Sequence, residues 1–477
     1  MDAPGPLLTT APAGRSRILG LAPMVLFSVS AMITLDSVAT VAASGWRGVG
    51  VFIALAVLYY APYGVITAEL GSAWPEEGGI YVWIREAYGD RAGGVAAWFY
   101  WVNLAYWAPA VFVIFAGTVR SAFWPEMSRT WEELIVIGLL WLVVAIGVLP
   151  LRLTTWVNNA SAAAKMAVLL AAGLVGLALM ARDGVANPVA AGELVSVSGI
   201  GLAAVAVIIS NFCGFEVMSS VAGSVKEPRR DIPRMILIAG LAIVGTQVLG
   251  MIGILGALPL EDLSIVSGIA DAMRLSFDRV LGGVAETAYY VVIVLLLFTF
   301  VGTMVTWSIG ANHSINVTGL DRSLPSVFGH VNRRFGTPDY AFVLMATVAT
   351  ALTVVNYALF GGNEQVFWTI FSLSSIVFMA PYVLMFPALL VLRRRFPDVP
   401  RPYRVPGGRA GAWIAVLLAE TFVLLGLGLF ITVIPAGGSR LLYTAVTTGG
   451  TVVTLLVGIW LSRRRGPRPA PGADLMA

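Results

Sequence analysis

Apolar stretches recur along the 477 residues at about 18–44, 48–72, 93–123, 132–150, 161–181, 199–225, 234–257, 284–312, 339–360, 364–392, 411–434 and 440–462. Each is close to the roughly 20 residues that a helix needs to cross a hydrocarbon core of about 30 Å. The runs are continuous rather than alternating, so the pattern predicts an all-α polytopic membrane protein with 12 transmembrane helices and not a β-barrel. Two stretches are interrupted. In the sixth, the apolar run from Gly199 to Ile209 gives way to Ser210, Asn211, Phe212, Cys213, Gly214, Phe215 and Glu216, then resumes at Val217. In the first, Phe27 to Asp36 replaces bulky side chains with small and hydroxyl ones, among them Ser28, Ser30, Ala31 and Thr34.

Backbone groups freed at mid-membrane cost several kcal/mol each unless protein or a water-filled cavity satisfies them, so such breaks mark binding sites. The interrupted spans lie five helices apart. That spacing predicts two inverted five-helix repeats, 17–181 and 199–392, whose broken helices 1 and 6 meet at the midplane, followed by two further spans over 411–462. The segments 1–16 and 463–477 read as cytoplasmic tails, the first disordered and lacking the apolar core of a signal peptide.

Composition agrees with this class. The chain is 58% hydrophobic and 12% charged, whereas soluble proteins are about 25% charged. Its net charge of +4 does not point to nucleic acid, because the basic residues sit in short clusters between spans. With the amino terminus inside, 22 basic residues fall on the cytoplasmic side and seven outside, with Lys165 within a span. The positive-inside rule therefore predicts both ends in the cytoplasm of a multi-pass protein of the cell membrane. On the same reading Arg393-Arg394-Arg395 is a topological stop rather than an anionic-lipid site. One cysteine and two histidines supply neither a disulfide nor a metal cluster, and no phosphate-binding glycine loop is present. No cofactor is expected.

The candidate chemistry sits at the breaks. Half-helix ends offer N–H groups for a carboxylate and carbonyls for an ammonium, so a small zwitterion suits them. Glu216 is a candidate proton relay, or else a fixed acceptor of hydrogen bonds. Asn103, Tyr106 and Trp107 share a face of span three, and Thr303 and Trp307 of span eight; Asn103 and Trp107 join the candidate binding residues. Phe212 is a candidate gate. Asp36 suits either an amine or a helix cap.

Three motifs then carry a resemblance. Ala68-Glu69-Leu70 with Pro75-Glu76-Glu77-Gly78-Gly79-Ile80-Tyr81-Val82-Trp83, Asn211-Phe212-Cys213-Gly214-Phe215-Glu216 with Lys226-Glu227-Pro228-Arg229-Arg230-Asp231-Ile232-Pro233-Arg234, and the loops Leu320–Pro325, Phe335–Pro338 and Pro402–Gly408 run in order along the chain. Together they resemble the amino acid-polyamine-organocation permeases. The Pro-Glu-Glu-Gly-Gly turn looks most like the glutamate/GABA antiporter branch. The resemblance implies a leucine-transporter-type fold and alternating access. It implies substrate contacts from Ser28, Ser30, Ala31, Met32 and Ile33 and from Ser210, Asn211, Phe212, Cys213 and Gly214, and it matches Lys165 to a fifth-span lysine of proton-coupled members. This chain departs from the family pattern at the first break, where Ser-Val-Ser-Ala-Met replaces Gly-Ser/Ala-Gly, and at Ser210, where related exchangers carry an aromatic.

The expected function is a secondary transporter of an amino acid or related amine, working by exchange or proton-coupled symport as a monomer or homodimer in the bilayer. A non-transporting sensor or scaffold and a polyamine or cationic amine permease are the alternatives. An enzyme is not expected, for no nucleophile and base pair occurs within the spans.

Overall fold

The computed structural model describes residues 19–33, 35–190, 192–196, 201–260, 268–360, 364–434 and 439–463, with backbone alone at helical positions 36, 37, 39, 40, 268–272, 359, 360 and 364–368. The tail expected at 1–16, all but residue 463 of the tail expected at 463–477, and the side chain of Asp36 lie outside the described residues. The helices are α1 (Leu21–Met32), α2 (Leu35–Ala42), α3 (Gly45–Ala73), α4 (Ile80–Tyr88), α5 (Asp90–Ala122), α6 (Arg129–Gly147), α7 (Leu151–Asp183), α8 (Leu202–Asn211), α9 (Pro228–Ala257), α10 (Gly268–Val280), α11 (Ala285–Leu320), α12 (Asp339–Phe360), α13 (Glu364–Met379), α14 (Tyr382–Arg395), α15 (Gly408–Thr432) and α16 (Arg440–Arg463). A tighter 3-10 segment, Phe215–Ser224, joins α8 to α9.

Among the described residues 11 helical segments are long and apolar enough to cross a membrane. The first span, expected to be broken, consists of two short helices, α1 and α2, with α1 ending before the extended Ile33. The stretch expected over 364–392 is also divided. Pro381 begins a new helix there, because its ring nitrogen has no hydrogen to donate to the turn before it. Helices α7 and α11 outlast their apolar cores, starting at Leu151 and ending at Leu320. The charged turn after the second span contains α4, whose Ile80–Ala87 are all buried. Nine residues are too few to register as a span.

Close approach of α7 and α9 depends on glycine facing glycine. A Cβ on Gly176 would stand 2.1 Å from the Gly253 carbonyl oxygen, so any side chain would force the pair apart. At the face where Leu19 lies, extended backbone closes the bundle: Leu19 donates to Ser224 at 2.9 Å, and Lys226 donates back to Leu19 at 2.9 Å. Beneath this strap, Gly78 donates to the Ser220 carbonyl at 3.3 Å, while Arg85 on α4 pairs with Asp321 and with Glu86. The same face is bolted by Glu69, fully buried, which accepts from Arg393 Nε at 2.7 Å and from the Val405 amide at 2.7 Å.

Candidate functional site

The two breaks lie against each other in the middle of the bundle, and side chains of other helices take up their loose backbone groups. At the first break Lys165, reaching from α7 and 1% exposed, donates from Nζ to the carbonyl oxygens of Ser30 at 2.6 Å and Ile33 at 2.5 Å. Trp307 Nε1 of α11 donates to the Ala31 carbonyl at 2.9 Å. At the second break the hydroxyl oxygen of Tyr63 on α3 accepts from the Gly214 amide at 2.9 Å and the Phe215 amide at 2.7 Å. Helical backbone ends because Gly214 adopts φ +140°, a conformation a side chain rarely takes. Space forbids one as well: a Cβ there would lie 2.9 Å from Met32 Cγ and 3.2 Å from Trp307.

Glu216, fully buried one turn beyond, is enclosed by phenols. Oε1 accepts from Tyr100 at 2.8 Å and from Tyr382 at 2.6 Å, and Oε2 accepts from Tyr63. The hydroxyl of Tyr63 therefore links the carboxylate to the two amides of the break. Tyr59 lies 3.0 Å from Cys213 Sγ, one turn earlier on α3.

Beside the breaks is a small cavity. Ala31 reaches it from α1, Asn103 and Trp107 from α5, Ser210 and Asn211 from α8, and Cys213 from the second break. Trp307 of α11 and Phe371, Ser374, Ser375 and Phe378 of α13 complete it. Trp307 meets Trp107 edge-on at 5.9 Å and Phe378 at 5.2 Å, and Ser374 donates to Asn103 Oδ1 at 2.7 Å. No charged side chain lines it among the described residues.

The structure thus brings together Ala31, Asn103, Trp107, Ser210, Asn211 and Cys213 of the residues singled out from sequence. Others stand apart. Ser28 Oγ contacts Met235 Sδ at 2.9 Å, Ser30 pairs with Thr306 at 2.9 Å, and Ile33 is fully buried behind the break. Met32 faces Gly214, and Phe212 turns from the cavity to pack on Tyr60 at 4.7 Å and Phe52 at 4.8 Å. Tyr106 points outward to Thr454, and Thr303 bonds within its own helix. The α13 lining and the tyrosines around Glu216 were not anticipated. Ser372, Ser374 and Ser375 repeat in an apolar stretch the small-hydroxyl signal that marked the first span, whereas nothing local distinguishes Tyr63, Tyr100 and Tyr382 from interfacial tyrosines.

Relatives agree with this architecture. Over 446 residues, covering 92% of this chain and 94% of the relative, it is 31% identical to a protein of Lactococcus lactis subsp. lactis (strain IL1403) named a probable agmatine/putrescine antiporter. It is 21% identical over 391 residues, 80% of this chain and 76% of the other, to the glutamate/gamma-aminobutyrate antiporter of the same strain. A crystal structure of a manganese transporter variant of Eremococcus coleocola shares the fold with a TM-score of 0.59 at 15% identity, covering 93% of this chain and 94% of that one. The amino acid permease family matches residues 19–459. With its apolar spans and this match, the chain is a multi-pass membrane protein belonging to the amino acid permease family, within the amino acid-polyamine-organocation superfamily.

Proposed function

We propose that the protein is a secondary transporter that moves an amino acid or related amine across the cytoplasmic membrane by alternating access, with both termini in the cytoplasm. The observation that carries this is the cavity shared by the two breaks, since a helix interrupted at mid-membrane is tolerated where it lines a binding chamber. The bundle is read as 12 transmembrane helices, α1 and α2 forming the first, in two five-helix inverted repeats with α15 and α16 outside them. Coupling is by exchange or by protons, with Glu216 and Lys165 as the candidate proton groups.

Among substrates, an amine is favoured over a free carboxylate. The amide hydrogens of Gly214 and Phe215, the donors nearest the second break, are already given to Tyr63. What faces the cavity is aromatic or neutral-polar: Trp107, Trp307, Phe371 and Phe378 beside Asn103 and Ser210. An ammonium binds aromatic faces with about 0.5 to 2 kcal/mol each and suits the carbonyl end of α8. That the 31% identical relative is named an agmatine/putrescine antiporter supports the same choice.

The test is counterflow in proteoliposomes loaded with putrescine, agmatine, glutamate or γ-aminobutyrate, with and without a pH gradient. Amine-driven accumulation of labelled amine is expected. Accumulation of glutamate instead would overturn the amine preference, and binding without any flux would turn the protein into a sensor.

A further inference from the structure

Away from the central cavity, at the face closed by Leu19, a second, open cavity lies between the end of α14 and the start of α15. Five arginines line it: Arg393, Arg394, Arg401, Arg404 and Arg409. Arg393 and Arg401 are committed to the fold. Arg393 chelates Glu69 and donates to the Gly408 carbonyl at 2.9 Å; Arg401 donates to the carbonyls of Val399 at 2.9 Å and Phe396 at 2.8 Å and lies over the Trp74 ring. Glu69 serves both guanidiniums. Arg394, Arg404 and Arg409 are exposed and form no ion pair with a described acid. Five positive charges therefore meet one negative charge. Desolvation holds the Arg401 guanidinium below its ordinary range; Glu69 opposes this, and Arg404 and Arg393 push more weakly in the same direction as burial.

The neighbourhood of these charges is apolar on one side only. Arg394 sits 5.7 Å from the ring centroid of Trp413, which is exposed, and Ile414 and Leu417 follow it on α15, 58% and 57% exposed. Those side chains occupy the first turns of a helix that crosses the membrane. A ligand that fits has an anionic head and an apolar body. A tryptophan at the junction is where interfacial rings settle.

We infer that this cavity binds the phosphate headgroup of an anionic phospholipid, with Arg394, Arg404 and Arg409 as its direct contacts and the acyl chains running along Trp413, Ile414 and Leu417. A guanidinium pairs with phosphate through two parallel N–H groups, which makes arginine better suited than lysine to the task. The residues concerned touch neither break nor the central cavity, so the site is independent of which solute is carried.

The experiment uses the full chain purified in detergent, with thermal unfolding and native mass spectrometry as readouts, on titration with phosphatidylglycerol, phosphatidylcholine or inorganic phosphate. Retention of phosphatidylglycerol and a raised unfolding midpoint are expected, with phosphatidylcholine inert. Each surface arginine contributes about 1 kcal/mol toward an anionic lipid, or roughly five-fold in affinity. Arg404→Gln should therefore weaken phosphatidylglycerol binding about five-fold, and the Arg394→Gln, Arg404→Gln, Arg409→Gln triple variant on the order of a hundred-fold. The single variant keeps the test valid should the triple variant fail to fold. Unchanged lipid affinity in either variant would overturn the proposal, as would equal retention of phosphatidylcholine. A midpoint raised by inorganic phosphate and not by lipid would assign the arginines to a soluble anion instead.

Discussion

The ammonium nitrogen of Lys165 stands 2.5 Å from the carbonyl oxygen of Ile33, the residue at which the first span stops being helical. Together with its bond to Ser30 at 2.6 Å, this makes one side chain from α7 the donor for two carbonyls of the break. An unsatisfied buried carbonyl costs about 1 to 3 kcal/mol. Lys165→Met, which keeps most of the side-chain volume, is therefore expected to lower stability by several kcal/mol and to abolish transport. Denaturant titration of the purified variant checks the first, and counterflow the second. A variant as stable as wild type would mean that water reaches the break.

Glu216 separates two roles that sequence alone left open. Its Oε2 faces Tyr63, whose oxygen already accepts from two amides and so donates its own proton; its Oε1 faces Tyr100 and Tyr382, whose oxygens have spare acceptor capacity. Glutamine fits this cage with its carbonyl toward Tyr63 and its amide toward the other two. Glu216→Gln should then fold normally, lose proton-driven uptake and retain exchange. Glu216→Ala leaves three hydroxyls without an acceptor and should be destabilised. Loss of both transport modes in Glu216→Gln, at wild-type stability, would show that the charge itself holds the break open.

Gly214 meets both a backbone and a steric demand. A residue with a side chain at φ +140° costs about 1 to 3 kcal/mol, and the added Cβ would push on Met32 and Trp307. Because Trp307 lines the cavity and holds the Ala31 carbonyl, that push reaches the binding site. Gly214→Ala should raise the half-saturating substrate concentration at least as strongly as it lowers stability. Uptake kinetics set beside thermal unfolding would expose a purely structural effect, in which binding by the folded fraction stays unchanged.

What could be read from the chain, and what could not, follows from range. The apolar helical spans and the sixth-helix break were legible, though not a count of twelve, because twenty apolar residues, or a glycine and an acid within them, are signals carried on a single segment. Ala31, Ser210, Asn211 and Cys213 came from the motif resemblance and Asn103 and Trp107 from helical spacing, and the structure gathers all six around one cavity. The tyrosine cage was not, since Tyr63, Tyr100 and Tyr382 come from three helices and have no shared spacing. Phe212 shows the opposite case: its place in the motif suggested a gate, but the backbone turn at the break directs its ring to Phe52 and Tyr60. At Arg393-Arg394-Arg395 the sequence reads as a topological stop rather than an anionic-lipid site, because Arg401, Arg404 and Arg409, which line the same cavity, are brought there only by folding.

Outside the spans, Glu76 predicts how stability changes with pH. Its Oε2 is buried without a hydrogen-bond partner, and burial pushes its carboxyl above the ordinary value of about 4.5, against the pull of a backbone hydrogen bond and of Arg85 and Arg229. The folded protein thus keeps this proton to higher pH than the unfolded chain does. Stability from this group is then complete below the ordinary carboxyl range, and it is lost as pH rises through that range to the raised folded value. Glu76→Gln keeps the shape and cannot ionise, so it should match wild type in acid and exceed it near neutral pH. Unfolding midpoints of both proteins in detergent between about pH 4 and pH 8 decide the matter. A wild type that gains on the variant as pH rises would mean that Arg85 and Arg229 outweigh burial and that the carboxylate, not the acid, belongs in the folded turn.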